Sequence, residues 1–312
     1  MILRDIDVSR SRIAAVGMFD GVHLGHRSLV HALVTCGESR GLVPTVVTFS
    51  NLPRKVVNSG DTTELLSSAD EKIKLLQSSG IEDVVLLEFN PQLRAMSARD
   101  FMTMLAHDYG VKALVIGFNN RFGHDRPTDI EIYRKIGETV GVEVIAANEF
   151  HDTKVPHVSS STIRTLLKHH NVAEATRLLG HPYSITGTVV HGKEIGRSIG
   201  FPTANIEPDA DNRLVPGKGV YAVVVTLPDG TRRAGMLNIG HRPTVDNEKS
   251  PVSIEVFIID FTGDIYAKKV KIEFLKFMRN ERRFDSLEAL RRRLTADAAL
   301  ASAIAEPYLV SE

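Results

Sequence analysis

An α/β unit built on a parallel sheet, followed by an all-β antiparallel barrel that ends in a helix, is the fold class the sequence predicts. Three observations predict it. In the first half, short β-branched runs alternate with helical periodicity. After Gly180-His181-Pro182 that periodicity nearly vanishes, and strand-like runs follow one another closely. Helical spacing returns only from Ser286. A chain of 312 residues also exceeds what one hydrophobic core usually holds.

The first βα unit runs from Ala14-Ala15-Val16-Gly17-Met18-Phe19 into a helix over residues 25–39. Further strands are predicted over 45–49, 84–87, 113–116 and 142–145, with amphipathic helices over 69–78, 98–107 and 129–140 between them. Such alternation reads as a parallel sheet covered on both faces, with ligands at the carboxyl ends of the strands. Two helices, 160–168 and 172–179, precede the break. Strands then follow over 183–190, 220–227, 233–239, 254–261 and 270–277, with Pro228-Asp229-Gly230 supplying a turn. Ser286 caps a last helix that reaches residue 304. The domain boundary is placed after residue 182, giving units 1–182 and 183–312. No internal repeat or low-complexity tract is visible.

Hydrophobic residues make up 43% and charged residues 24%, the composition of an ordinary globular protein. No apolar run reaches the about 18 residues that span a bilayer. The start mixes acids with apolar residues and lacks a secretory pattern, so a cytoplasmic protein with no membrane partner is expected. The one cysteine, Cys36, cannot form an internal disulfide and falls in an apolar helical pattern, which reads as a core residue. Lys plus Arg and Asp plus Glu number 38 each, so there is no global field to draw a nucleic acid. At most a weak homo-oligomer is expected. An anionic ligand must be held locally, by loops, helix N-termini and a few charged side chains.

The first strand ends in Gly17-Met18-Phe19-Asp20-Gly21-Val22-His23-Leu24-Gly25-His26. Imidazoles three residues apart face one side of a helix's first turn, beside its orphan amides and positive dipole end. That arrangement suits a phosphate clamp, although a bare pair of histidines on a Gly-rich turn is equally a surface feature. Zinc is disfavoured, because no further ligand lies at a familiar spacing. The string resembles the nucleotidyltransferases that carry His-x-Gly-His on a Rossmann-like domain, and in its full form the bacterial FAD synthetases.

Two later strings agree with this resemblance in order and spacing. Gly117-Phe118-Asn119-Asn120-Arg121-Phe122-Gly123 stands where that family has a loop contacting flavin and ATP, and Ser159-Ser160-Ser161-Thr162-Ile163-Arg164 resembles a helix start that grips ATP phosphates. The resemblance implies adenylyl-transfer ATP contacts at Gly17, Phe19, Asp20, Gly21, His23, His26, Asn119, Ser159, Ser160, Ser161 and Arg164, and flavin contact at Phe122. Taken singly, the serines also read as N-caps, Asn119 as a turn residue and Phe122 as core. One departure stands out: Thr48-Phe49-Ser50-Asn51-Leu52-Pro53 lacks the histidine that the family often has there.

In the second half, Gly187-Thr188-Val189-Val190-His191-Gly192 leads to Gly196-Arg197-Ser198-Ile199-Gly200-Phe201-Pro202-Thr203-Ala204-Asn205. Glycines at this spacing in a β context suit loops folding over a phosphate tail. No P-loop motif is present, so phosphates must be held another way. Pro-Thr-Ala-Asn resembles the riboflavin kinase signature. It implies kinase ATP contacts at Gly192, Gly196, Arg197, Gly200, Pro202, Thr203 and Asn205, with Mg²⁺ on Thr203 and Asn205, oxygen donors that suit a hard cation.

Gly235-Met236-Leu237-Asn238-Ile239-Gly240-His241-Arg242-Pro243-Thr244 also matches that family, and Glu255 falls where it places its catalytic base. Without the resemblance, Glu255 reads as an outward residue of an alternating strand. Arg279-Asn280-Glu281-Arg282-Arg283-Phe284 resembles a flavin-binding stretch, which assigns flavin to Arg279 and Phe284, although Phe284 also suits a helix staple. Phe257 stands where the family often has His. The expected activity is phosphorylation of riboflavin to FMN and adenylylation of FMN to FAD, with ATP for both steps. The alternatives are a nucleotidyltransferase acting on another substrate and an inert flavin or nucleotide sensor.

Overall fold

The computed structural model describes residues 8–51, 63–118, 120–148, 158–192, 196, 199–210, 212–241 and 252–309. The chain divides into two compact units, Met1–Ser159 and Ser160–Glu312. Among the described residues no helix is long and apolar enough to cross a membrane.

The first unit runs β1 (Arg12–Val16), α1 (Leu24–Arg40), β2 (Val43–Phe49), α2 (Ala69–Gln77), β3 (Asp83–Leu87), α3 (Pro91–Ala95), α4 (Ala98–Tyr109), β4 (Val111–Ile116), α5 (Ile130–Val140) and β5 (Glu143–Ala146). Its sheet has the order β3-β2-β1-β4-β5, and every pair is parallel. Alternation along β1 separates two cores. Ala14 and Val16 face Phe101, Leu105 and Tyr133, while Ile13 and Ala15 face Val30, Leu33, Ile73 and Leu76. Both faces are therefore covered, as near-continuous apolar strands require. Two helices start in capping boxes, Ser68 with Glu71 for α2 and Ser97 with Asp100 for α4. At the amino ends of the strands a fully buried Arg12 donates to Asp83 at 3.0 Å and to the Tyr109 carbonyl at 3.0 Å. The short α3, which periodicity did not signal, begins with an Asn90 cap and Pro91 in its first turn.

The second unit opens with α6 (Ser160–Lys168) and α7 (Val172–Leu179). A closed barrel follows, made of β6 (Tyr183–Val190), β7 (Ala204–Pro208), β8 (Gly219–Thr226), β9 (Arg232–His241), β10 (Val252–Ile258) and β11 (Lys269–Arg279), in the order β10-β7-β6-β11-β8-β9. Every pair is antiparallel. The helix α8 (Leu287–Ala305), capped by Ser286, closes the unit. Here β7 is the addition to the predicted strands. Its text reads as loop because it is short and ends in Pro208, and ladders with β6 and β10 hold it extended.

Candidate active sites

The order of the first unit's sheet reverses between β1 and β4, and such a point opens a crevice outside the carboxyl ends of the strands. The loop leaving β1 is left-handed at Phe19 (φ 48°), Gly21 (φ 78°) and Val22 (φ 41°). That backbone is costly for a β-branched residue, and here burial holds it, since Phe19 and Val22 are 1% and 0% exposed. Asp20 is buried as well. Its carboxylate accepts the N–H of Leu66 at 2.9 Å and of Ser67 at 3.1 Å, fixing the turn that leads into α2. Asp20 thus holds the loop framework together.

His23 is the N-cap of α1, and its Nδ1 accepts the His26 N–H at 3.3 Å. An accepting Nδ1 leaves the proton of a neutral ring on Nε2, which becomes a donor. The His26 ring lies 3.6 Å from that of His23 and nearly parallel to it. Its Nδ1 is buried without a hydrogen-bond partner. Burial, then the neighbouring His23 and then Lys72 hold the His26 imidazole well below its usual pKa. The His26 ring, kept neutral and stacked on that of His23 at the positive end of a helix, can with it present donors to phosphate oxygens where charge develops.

The loop after β4 is tied to β1, because the Asn120 amide donates to the Val16 carbonyl. Phe122 turns inward, with its ring 4.6 Å from Tyr133 and 5.4 Å from Phe101, and Tyr133 Oη bonds both its N–H and its carbonyl. The exposed aromatic of this loop is Phe118, at 60%. Asn119 lies outside the described residues. Ser159 ends the first unit, while Ser160, Ser161 and Arg164 form the first turns of α6 in the second.

In the barrel, register builds a row of polar groups. Glu255 of β10 stands opposite Asn205 of β7 on one side and Asn238 of β9 on the other, so the three share a face. Ile254 and Val256 are buried on the opposite face, and Glu255 is half-buried. The Asn238 amide donates to Glu281 at 2.9 Å. Beside the row, Phe257 packs edge-on to Phe201 at 5.0 Å and joins Val220, Met236 and Ala301 in an apolar cluster. Phe257 therefore has a packing role in place of the histidine the family often carries.

The glycines of the first barrel loop make room for the predicted oxygen donors. A Cβ at Gly192 would lie 1.9 Å from the Asn205 amide nitrogen, and one at Gly196 would lie 2.2 Å from the Phe201 carbonyl and 3.8 Å from Thr203 Oγ1. Gly196 also accepts the Phe201 N–H at 2.8 Å, and Gly200 is left-handed. Arg197 lies outside the described residues, as do residues 242–250. Next to this loop, Pro202, Thr203, Val189, Val256, Phe261 and Tyr266 line part of a cavity of about 640 Å³. His191 stacks on Tyr266 at 4.0 Å.

Arg279 is committed to the framework. Its Nε and Nη2 donate to Asp297 of α8 at 2.8 and 2.7 Å, and Arg293 reaches the other carboxylate oxygen at 2.9 Å. Phe284 is half-buried under the Arg282 guanidinium at 4.6 Å, with that of Arg279 at 5.9 Å. Among the described residues no cluster of three His, Cys, Asp or Glu could hold a metal ion. Hydroxyl and amide oxygens such as those of Thr203 and Asn205 are a different donor set, of the kind that hard cations accept.

Sequence reasoning passed over Lys72, and it gave no role of their own to Phe118, Asn238 and Glu281 within the strings that contain them. Lys72 left a signal, being a charged residue one turn before buried Leu76 on the apolar face of α2. The Asn238–Glu281 contact left none, because it joins residues 43 positions apart.

A riboflavin kinase family profile matches residues 179–305, and an FAD synthetase family profile matches residues 5–162. Bifunctional riboflavin kinase/FMN adenylyltransferases from Escherichia coli K12, Pseudomonas fluorescens and Bacillus subtilis 168 are 35%, 36% and 34% identical to the chain. These alignments cover 91%, 96% and 91% of the chain and 90%, 94% and 90% of the relatives. A crystal structure described as a macrolide-efflux protein from Streptococcus pneumoniae is 31% identical, covers 96% of both chains and has a TM-score of 0.86.

Proposed function

This chain belongs to the bifunctional riboflavin kinase/FMN adenylyltransferase family, and from that premise we propose which of its residues carry each step. It phosphorylates riboflavin to FMN with ATP, then adenylylates FMN to FAD with a second ATP, releasing pyrophosphate. In the kinase step Glu255 accepts the proton of the ribityl hydroxyl as that oxygen bonds to the γ-phosphorus and ADP leaves. Asn205 and Asn238 flank Glu255 on the half-buried face that the three share. Thr203 and Asn205 hold Mg²⁺, which offsets the charge on the ATP phosphates when bound. The space left by Gly192 and Gly196 beside these two side chains supports that assignment. The 640 Å³ cavity lined by Pro202, Thr203 and Tyr266 takes the nucleotide base. Phe284 and the apolar wall of Phe201 and Phe257 take the flavin ring, with Arg279 fixing the wall through Asp297.

In the adenylyl step an FMN phosphate oxygen attacks the α-phosphorus, and pyrophosphate leaves. His23 and His26 donate through Nε2 to the oxygens that gain charge. Gly17, Phe19, Asp20 and Gly21 form the loop that positions them. We keep the functional boundary at 182/183, although α6 and α7 fall in the second compact unit. The cytoplasm, where ATP and reduced thiols prevail, fits a chain whose one cysteine, Cys36, is unpaired.

The stacked histidine pair at the tip of α1, far in sequence from the Asn205–Glu255–Asn238 row, carries the reading of two independent sites. Chromatographic separation of flavins tests it. Glu255→Gln should abolish FMN formation and leave FAD formation from supplied FMN. His26→Ala should spare FMN formation and slow FAD formation about 100-fold, the usual loss for one transition-state donor. Loss of both activities in either variant would refute the assignment.

A further inference from the structure

Lys72 is 4% exposed, on the first turn of α2. Its ammonium donates to the Phe49 carbonyl at 2.8 Å and to the Met18 carbonyl at 3.1 Å, joining the carboxyl ends of β2 and β1. A buried cation near a helix N-terminus is penalised twice, by lost hydration and by the dipole. Hydrogen-bond satisfaction alone does not call for it. Met18 O already accepts from Thr48 Oγ1 at 3.0 Å, and a neutral amide could serve Phe49 O. What a neutral donor would lack is the charge, set behind the loop from which His23 and His26 depart.

We propose that Lys72 is a positioning residue of the adenylyl-transfer site, bracing the ends of β1 and β2 into one frame and backing the histidine pair with a buried positive charge. The proposal rests on the adenylyl-transfer reading given above. A second brace runs the other way across the same gap, since Asp20 of the loop holds Leu66 and Ser67 at the approach to α2. The charged groups around the ammonium are Asp20, which favours its charged form, and His26, whose imidazole it helps to keep neutral. Burial is the larger influence and brings the Lys72 pKa down to about 8. Lys72 therefore loses its charge within an accessible pH range, and the positive backing of the histidine pair goes with it, while the neutral amine can still donate to both carbonyls.

The test uses the full chain with Lys72→Met, which keeps length and removes charge, and Lys72→Arg, which keeps charge at all working pH. FAD formation from FMN is followed from pH 6.5 to 10, with FMN formation from riboflavin as control. The parent should lose FAD formation as pH rises through about 8. Lys72→Arg should keep it to pH 10. Lys72→Met should be at least about 10-fold slower at pH 7, the loss typical of disturbed positioning, without an alkaline limb of its own. Native Lys72 binds fewer protons than unfolded Lys72 between its two pKa values, so the parent's thermal midpoint should gain on that of Lys72→Met over the same interval. Activity and the stability contributed by Lys72 then move in opposite directions, so unfolding driven by this group is not the cause of the limb. If both variants keep the parent's alkaline limb, the proposal is overturned; if Lys72→Met does not fold, Lys72→Arg decides alone. A parent that forms no FAD at any pH would instead sink the adenylyl-transfer reading itself.

Discussion

Replacing Gly192 by Ala separates the position of the Asn205 amide from the presence of the residue. The backbone at 192 is not left-handed, so alanine adds no backbone strain there. The new Cβ would nevertheless lie 1.9 Å from Asn205 Nδ2 and 2.6 Å from Cγ, where ordinary contact begins near 3.4 Å. The amide must withdraw by the difference, about 1.5 Å, and as the end of a rotatable side chain it can do so without moving β7. Displacement of a reacting or coordinating group by about 1 Å commonly costs about 100-fold in rate, or roughly 2.7 kcal/mol of transition-state stabilisation. FMN formation by Gly192→Ala, assayed across Mg²⁺ concentrations, should therefore fall about 100-fold at the parent's optimum and recover partly at higher Mg²⁺. FAD formation from FMN and the thermal midpoint should stay as in the parent. An unchanged rate with unchanged Mg²⁺ dependence would refute the placing of Asn205 in the kinase site. A rate loss accompanied by a drop in thermal midpoint would refute the steric argument.

Two further substitutions probe what the sequence did not reveal. Asp297→Asn leaves Arg279, 15% exposed, without its anionic partner; breaking such a buried pair costs about 3 kcal/mol, the low end of the usual range because Arg293 is 36% exposed. The barrel's melting midpoint should fall by roughly 6–12 °C and FMN formation with it, while supplied FMN is still converted to FAD; an unchanged midpoint in calorimetry would rule out this pairing as the anchor of α8. Phe118→Ala removes an aromatic face that is 60% exposed at the carboxyl end of β4. If that face stacks on FMN, the KM for FMN in adenylylation should rise about 10-fold with kcat little changed, and equal KM values would exclude it.

The alternation of β-branched runs with helical periodicity was enough to specify the parallel sheet, because strands buried on both faces must be nearly continuously apolar, as β1 is after Arg12. The change of texture after residue 182 likewise specified the barrel, whose strands carry period-two burial in β6. His23 and His26 were legible as candidates from their own string, whereas Thr203, Asn205 and Glu255 became candidates through the family resemblance of the strings that carry them. Other features depended on contacts between residues far apart in the chain. The turn of Phe122 into the core against Tyr133, the use of Asp20 on Leu66 and Ser67, and the capture of Arg279 by Asp297 are each decided by burial. Lys72 is the clearest case. Sequence shows only a lysine in an amphipathic helix; the fold removes its water and supplies two strand-end carbonyls in exchange. Composition and local pattern thus determined the elements and the reactive strings, while desolvation and long-range partners, which exist only once the chain has closed on itself, decided which charged and aromatic side chains support the framework and which remain open to substrate.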